Sequence, residues 1–300
     1  MIYTLTSPNL LIKVDSKGAE MVSVTGNTSN FEYIWGGDKN YWGRRCPVLF
    51  PHVGKLKNDS LNFEGKSYVS KQHGFARDQE FECVSHFENH LIFQLESSDF
   101  TKTLYPFNFC FQISYLIEEN KLKISYRVIN TDQKDIYFGI GAHPAFSCPI
   151  KPKNDFSKGQ TQYGGYLINF EKEEKLETYH LENGLINPKP ILIEEKASML
   201  HVSRGLFDSD ALIFKNLQSS WVGLAHFELG QIIKVYTNDF EWLGIWSLPK
   251  EGADFVCIEP WQSHADFIDE IEGFENKKDL IKLESNKDWI KNFDIEFCLS

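Results

Sequence analysis

Glu259 and three histidines sit in short segments whose neighbours could hold them still, and side chains of these types can move protons. Glu259 lies inside Phe255-Val256-Cys257-Ile258-Glu259-Pro260-Trp261, preceded by Gly252. The run reads as a buried or half-buried strand that stops at Pro260. A carboxylate there must find a partner, face a cavity or hold a proton, because an unpaired buried charge is very costly. Burial also raises its pKa toward the range where it can serve as a base near neutral pH. Taken alone, the stretch fits equally ordinary roles: a glutamate turned to solvent by strand alternation, or one paired with a structural Lys or Arg. Its company changes the balance.

The first companion segment runs from Arg45 to Leu56. Pro47 and Pro51 exclude a regular central strand, and Gly54 permits an unusual turn, so His52 and Lys55 can project from a rigid loop. The second is Gln72-His73-Gly74-Phe75-Ala76-Arg77-Asp78. There Gly74 lets backbone approach a ligand, and His73 offers a donor or acceptor near neutral pH. The third is Gly139-Ile140-Gly141-Ala142-His143-Pro144-Ala145-Phe146, where Pro144 biases His143 toward an extended conformation. A fixed, cavity-facing imidazole makes a good general acid. Each segment also has a plain reading: a connecting loop, a capped turn, a core histidine.

Other chemistries lack their signatures. His86-Phe87-Glu88-Asn89-His90 has its glutamate in the wrong place for a zinc helix and reads as a turn between strands. The sequence has no Gly-x-Gly-x-x-Gly, no Walker loop and no Gly-x-Ser-x-Gly elbow. The six cysteines are scattered without a Cys-x-x-Cys and read as reduced structural residues.

The elements that would carry these segments are strands. Phe109–Ile117 and Leu122–Val128 alternate with period two on both sides of Glu118-Glu119-Asn120, which predicts a long antiparallel hairpin with one buried face. Further strands are expected at 10–14, 61–63, 67–69, 90–95, 211–214, 221–226, 232–236, 242–247 and 255–258, with a hairpin turn at Glu64-Gly65-Lys66. Helical signals are few: one turn at 286–290 and an ambiguous stretch at 268–274. Lys151–Gly165 is polar and reads as a long loop beside a site. The expected fold is all-β, a large antiparallel sandwich with few short helices, forming a single domain over residues 1–300.

Of the 300 residues, 42% are hydrophobic, with 24 Phe, 12 Tyr and 7 Trp, enough for a large core. The net charge of −11, with no basic cluster, argues against nucleic acid as a partner. The first residues do not resemble a leader, and no apolar run approaches a membrane span, so the reading is a cytoplasmic protein with no membrane partner.

Three segments, His73-Gly74-Phe75-Ala76-Arg77, Gly141-Ala142-His143-Pro144-Ala145-Phe146 and Ile258-Glu259-Pro260-Trp261, occur in the order and rough spacing of the aldose 1-epimerase family. From about Asn40 to the Glu259 strand the chain resembles its galactose mutarotase-like branch, with the LacX-type and hexose-6-phosphate epimerase-like proteins. The resemblance implies a large β-sandwich with a sugar cleft on one face. It implies Glu259 as general base, His143 as general acid and His73 as the histidine that holds and polarises the sugar. Asp210 resembles the aspartate that binds sugar hydroxyls, although nearby Asp208 fits the same place. Lys55 stands where the family commonly has arginine. It keeps the charge without the bidentate geometry, which bears on substrate preference.

Such an enzyme opens an aldose ring and recloses it on the other face. A base takes the anomeric hydroxyl proton while an acid protonates the ring oxygen, with the pair expected on opposite sides of the sugar and no metal or organic cofactor. His52, Lys55 and Arg77 are further expected contacts, and Trp261, Phe146, Trp42 and Phe75 are candidates for packing on the sugar. Arg77 and Lys55 could face a phosphate or pair with Asp78 and Glu80 as structural ions. The expected partner is a small-molecule sugar, and a homodimer is compatible with the sequence. The competing readings are a sugar-binding sandwich without turnover and a glycosidase, which needs a second carboxylate opposite Glu259.

Overall fold

The computed structural model of the protein describes residues 1–152, 164–237 and 240–299. Its framework is a ten-stranded sheet and a nine-stranded sheet, whose strands pair antiparallel throughout, with three small two-stranded ribbons. Among the described residues the α-helical structure is one turn, Asp99–Lys102, capped by the Ser98 side chain, which accepts from the Thr101 amide. No helix is long and apolar enough to cross a membrane among these residues.

The long hairpin forms within a residue or two of its expected bounds. Phe109–Glu118 pairs with Lys121–Asn130 from Phe109↔Asn130 to Glu118↔Lys121. Phe111, Ile113, Tyr115 and Ile117 are buried, while Gln112, Ser114 and Leu116 between them are partly exposed. This buried face covers one side of a core shared by both sheets. Phe50, just past the ten-stranded-sheet strand Val48–Leu49, stacks on Phe111 of the other sheet with ring centroids 4.7 Å apart. Each fully buried aromatic of this kind stabilises the fold by about 1.5–3 kcal/mol. The segment His86–His90 is the expected turn between the strands Glu82–His86 and His90–Glu96.

Some expectations about elements need correction or completion. Residues 286–290 do not form a helical turn: Asp288 starts the strand Asp288–Phe297, which pairs along Lys121–Asn130. A sheet partner satisfies those backbone groups, whereas a lone helical turn fixes several residues for one bond. Lys151 and Pro152 end the strand Ala145–Pro152 and are not loop. Residues 153–163 of the expected loop lie outside the described residues. The ambiguous stretch 268–274 is turn structure, ending in the short 3-10 segment Phe274–Asn276.

The strand bearing Glu259 does not stop at Pro260. It runs Phe255–Gln262 through the middle of the ten-stranded sheet. On one side it pairs with Trp242–Trp246, Leu243 opposite Pro260. On the other it pairs first with Ala145–Pro152 and then with Ile140–Ala142, so that partner is broken at His143-Pro144. The Ile258 amide donates to the Pro144 carbonyl at 3.3 Å. By strand alternation the Pro260 nitrogen points the same way, into the break, where no ladder bond is lost.

Candidate active site

Strand alternation sorts this segment onto two faces. Val256 and Ile258 point into the main core, whereas Cys257, Glu259 and Trp261 point to the opposite face of the sheet. On that face lies a cleft of about 330 Å³ with Glu259, His143, His73 and Arg77 in its lining. Glycines make room for its aromatic wall. A Cβ at Gly244, paired opposite Glu259, would come within 2.4 Å of the Trp261 ring, and one at Gly141 within 2.7 Å.

The break in the neighbouring strand brings His143 to Glu259, with Nε2 3.3 Å from Oε2. Both side chains are almost wholly enclosed, at 7% and 1% exposure, and among the described residues Glu259 Oε2 has no hydrogen-bond partner. Burial pushes the Glu259 carboxyl well above the ordinary carboxylate range. The Trp261 side chain opposes the shift and the Asp210 charge adds to it. Burial, with help from the Arg77 charge, brings His143 down to about 3. The Trp42 ring stacks on His143 with centroids 4.8 Å apart, and Trp246 meets it edge-on at 5.8 Å.

His73 adopts a positive φ of 67°, and its ring stands edge-on to His143 at 5.6 Å. Its Nδ1 accepts from the Gly54 amide at 3.0 Å, so the neutral ring carries its proton on Nε2, ready to donate. Burial first, then the His143 and Arg77 charges, hold His73 well below the ordinary histidine range. Gly74 follows at φ 71°, and a Cβ there would sit 2.2 Å from the Phe50 carbonyl oxygen, so only glycine lets this turn pack.

Arg77 also lines the cleft, donating from Nη2 to the Gln72 carbonyl at 2.7 Å. It does not pair with Asp78 or Glu80. Asp78 is taken by Arg44, and Glu80 lies 3.9 Å from the N-terminal amine. Among the described residues no carboxylate lies within ion-pair distance of Arg77. Asp210 lines the cleft and Asp208 does not, which separates two residues the sequence left interchangeable. Asp210 and Glu259 therefore share one cleft.

Three expected contacts lie elsewhere. His52 is buried with Nε2 2.6 Å from Ser70 Oγ and lines a separate cavity of about 120 Å³, because the loop turns it away from the Glu259 face. Phe146 belongs to the main core, since strand alternation sends it to the face opposite Ala145. Phe75 likewise packs in the core and borders the His52 cavity. Lys55 runs along the Asn183–Gly184 turn at the margin, 3.4 Å from the Asn183 carbonyl oxygen and 3.7 Å from Asp59. Trp246 and Gln72 are lining residues that the sequence did not single out as contacts. The alternation of Trp242, Gly244 and Trp246 could have indicated the first.

The architecture is that of galactose mutarotase-like sandwiches. The chain superposes on a galactose mutarotase related enzyme from Lactobacillus acidophilus with a TM-score of 0.90 at 30% identity, covering 99% of this chain and 97% of that one. A galactose mutarotase-like protein from Lactobacillus casei gives 0.89 at 25% identity, covering 99% and 100%. Protein LacX of Lactococcus lactis subsp. lactis is 27% identical over 98% of this chain and 99% of its own length. The aldose 1-epimerase family model matches residues 1–272, and the chain belongs to that family of isomerases.

Proposed function

We propose that the protein is an aldose 1-epimerase that interconverts α and β anomers, with Glu259 and His143 as its proton-transfer pair. The observation that carries this reading is their 3.3 Å contact in the cleft lining. Glu259 takes the proton of the anomeric hydroxyl, and the imidazolium of His143 delivers one to the ring oxygen as the ring bond breaks. The open aldehyde turns about its first carbon–carbon bond. Attack from the other face then forms the new ring bond, and both protons return. Each positioned acid or base contributes about 10²–10⁴-fold.

His73 donates from Nε2 to a sugar oxygen, Asp210 accepts from hydroxyls, and Trp261 supplies an apolar wall. Arg77, with no carboxylate in ion-pair range among the described residues, suits either a hydroxyl-rich or a phosphorylated aldose. The whole chain acts as one domain, in the cytoplasm, on a small-molecule sugar. The test is polarimetry of freshly dissolved anomers, using free and 6-phosphorylated aldoses. Exchange faster than in buffer for at least one sugar supports the reading. Binding without acceleration for every sugar tried would favour a sugar-binding module instead.

A further inference from the structure

We infer that His143, Cys257 and Glu259 form a binding site for a soft divalent cation of the zinc type, whose occupation blocks proton transfer. Cys257 precedes Glu259 by two residues in one strand, so both side chains leave the same face of the sheet. The thiol sulfur, an imidazole nitrogen and a carboxylate oxygen all lie within 4.8 Å of one another. The three side chains are buried, and among the described residues Glu259 Oε2 has no hydrogen-bond partner.

Zinc binds sulfur, nitrogen and oxygen at about 2.0–2.3 Å, which places tetrahedral ligand atoms roughly 3.3–3.8 Å apart. The 3.3 Å between His143 Nε2 and Glu259 Oε2 already matches that spacing. The sulfur needs a shift of about 1 Å or less to complete the triad. A thiolate favours zinc, cadmium or cobalt over magnesium or calcium, which take oxygen ligands. His143 and Glu259 open on the cleft, so a cation can enter there and keep its fourth position for water. Once bound, it occupies the lone pairs that proton transfer needs. The binding claim stands on geometry alone, and the blocking claim rests on the proposed function.

The test titrates the wild-type protein with Co²⁺ and follows absorption. The expected result is a thiolate-to-cobalt charge-transfer band with the d–d bands of a tetrahedral ion, erased by equimolar Zn²⁺ and absent in Cys257→Ala. Cys257→Ser serves if the alanine variant does not fold. In anomer exchange, Zn²⁺ should inhibit the wild type reversibly by EDTA. Cys257→Ala should keep its metal-free rate and need at least about tenfold more Zn²⁺ for the same inhibition, the lower end of what losing even an outer partner does. An octahedral cobalt spectrum without charge transfer overturns the site. Equal zinc sensitivity in Cys257→Ala, or exchange unaffected or raised by zinc, overturns the blockade. The cobalt spectrum decides binding even where no exchange is found.

Discussion

Glu259 Oε2 stands 3.3 Å from His143 Nε2, so the two groups adjoin and do not face each other from opposite walls. The ring oxygen and the anomeric hydroxyl are bonded to one carbon, so neighbouring groups can serve both. Burial favours the neutral acid and the neutral imidazole, whereas proton transfer as proposed starts from carboxylate and imidazolium. Both states hold one proton, and the pair titrates as a unit.

The pH dependence of kcat/KM follows from those shifts. A second proton enters the pair only near the His143 value of about 3, and the last proton leaves only above the ordinary carboxylate range. The rate should therefore hold as pH falls through 4.5 and drop only toward 3. An acid limb with its midpoint near the ordinary carboxylate value of 4.5 would show an unshifted pair instead.

Stability should fall in acid. His52, His143 and His264 are each lowered to about 3 from 6.5, chiefly by burial. Their stabilising contribution is complete above pH 6.5 and is lost as pH falls toward 3, because the unfolded chain takes up protons first. Glu259 acts oppositely: its raised pKa makes stability decline as pH rises above 4.5 through the folded value. Urea midpoints at pH 5 and pH 7.5 check both signs. His52→Gln should show a smaller acid loss than wild type, and Glu259→Gln should gain most relative to wild type at the higher pH.

Gly244→Ala tests the aromatic wall. The added Cβ would meet the Trp261 ring at 2.4 Å. Overpacking of this kind costs about 1–3 kcal/mol. The variant should unfold at lower urea and raise KM more than it lowers kcat. Unchanged stability and KM would show that Trp261 can move aside freely.

Arg44 should act on Arg77 at one remove. Its Nη1 donates to the Arg77 carbonyl at 3.0 Å while the same guanidinium pairs with Asp78 and lies 3.7 Å from Glu20. Arg44→Ala should raise KM several-fold and leave the pH profile in place, whereas a pure stability defect would leave KM of the folded enzyme untouched.

Period two in Phe109–Ile117 and Leu122–Val128 was enough to place the long hairpin almost to the residue, because one face had to be buried. The segments around His73, His143 and Glu259 stood out in the sequence, and their side chains line one cleft. Facing was harder. His52 and Phe146 sit beside site residues yet point away, since a loop turn or one step along a strand reverses a side chain. Pro260 read as a stop because its missing N–H matters only where a partner strand waits, and the partner is broken there. Trp42 was a candidate for packing on the sugar, and it lines the cleft stacked on His143.

The most direct test of the account is the anomer-exchange rate of Glu259→Gln, measured by NMR exchange at neutral pH on an aldose that wild type converts. Glutamine keeps the shape and can hydrogen-bond but cannot carry the proton. A loss of about 10²–10⁴-fold with the fold intact is expected. Adding His143→Asn should lower the rate far less than the two single losses multiplied, since the pair works as a unit. Wild-type exchange in Glu259→Gln would contradict the account.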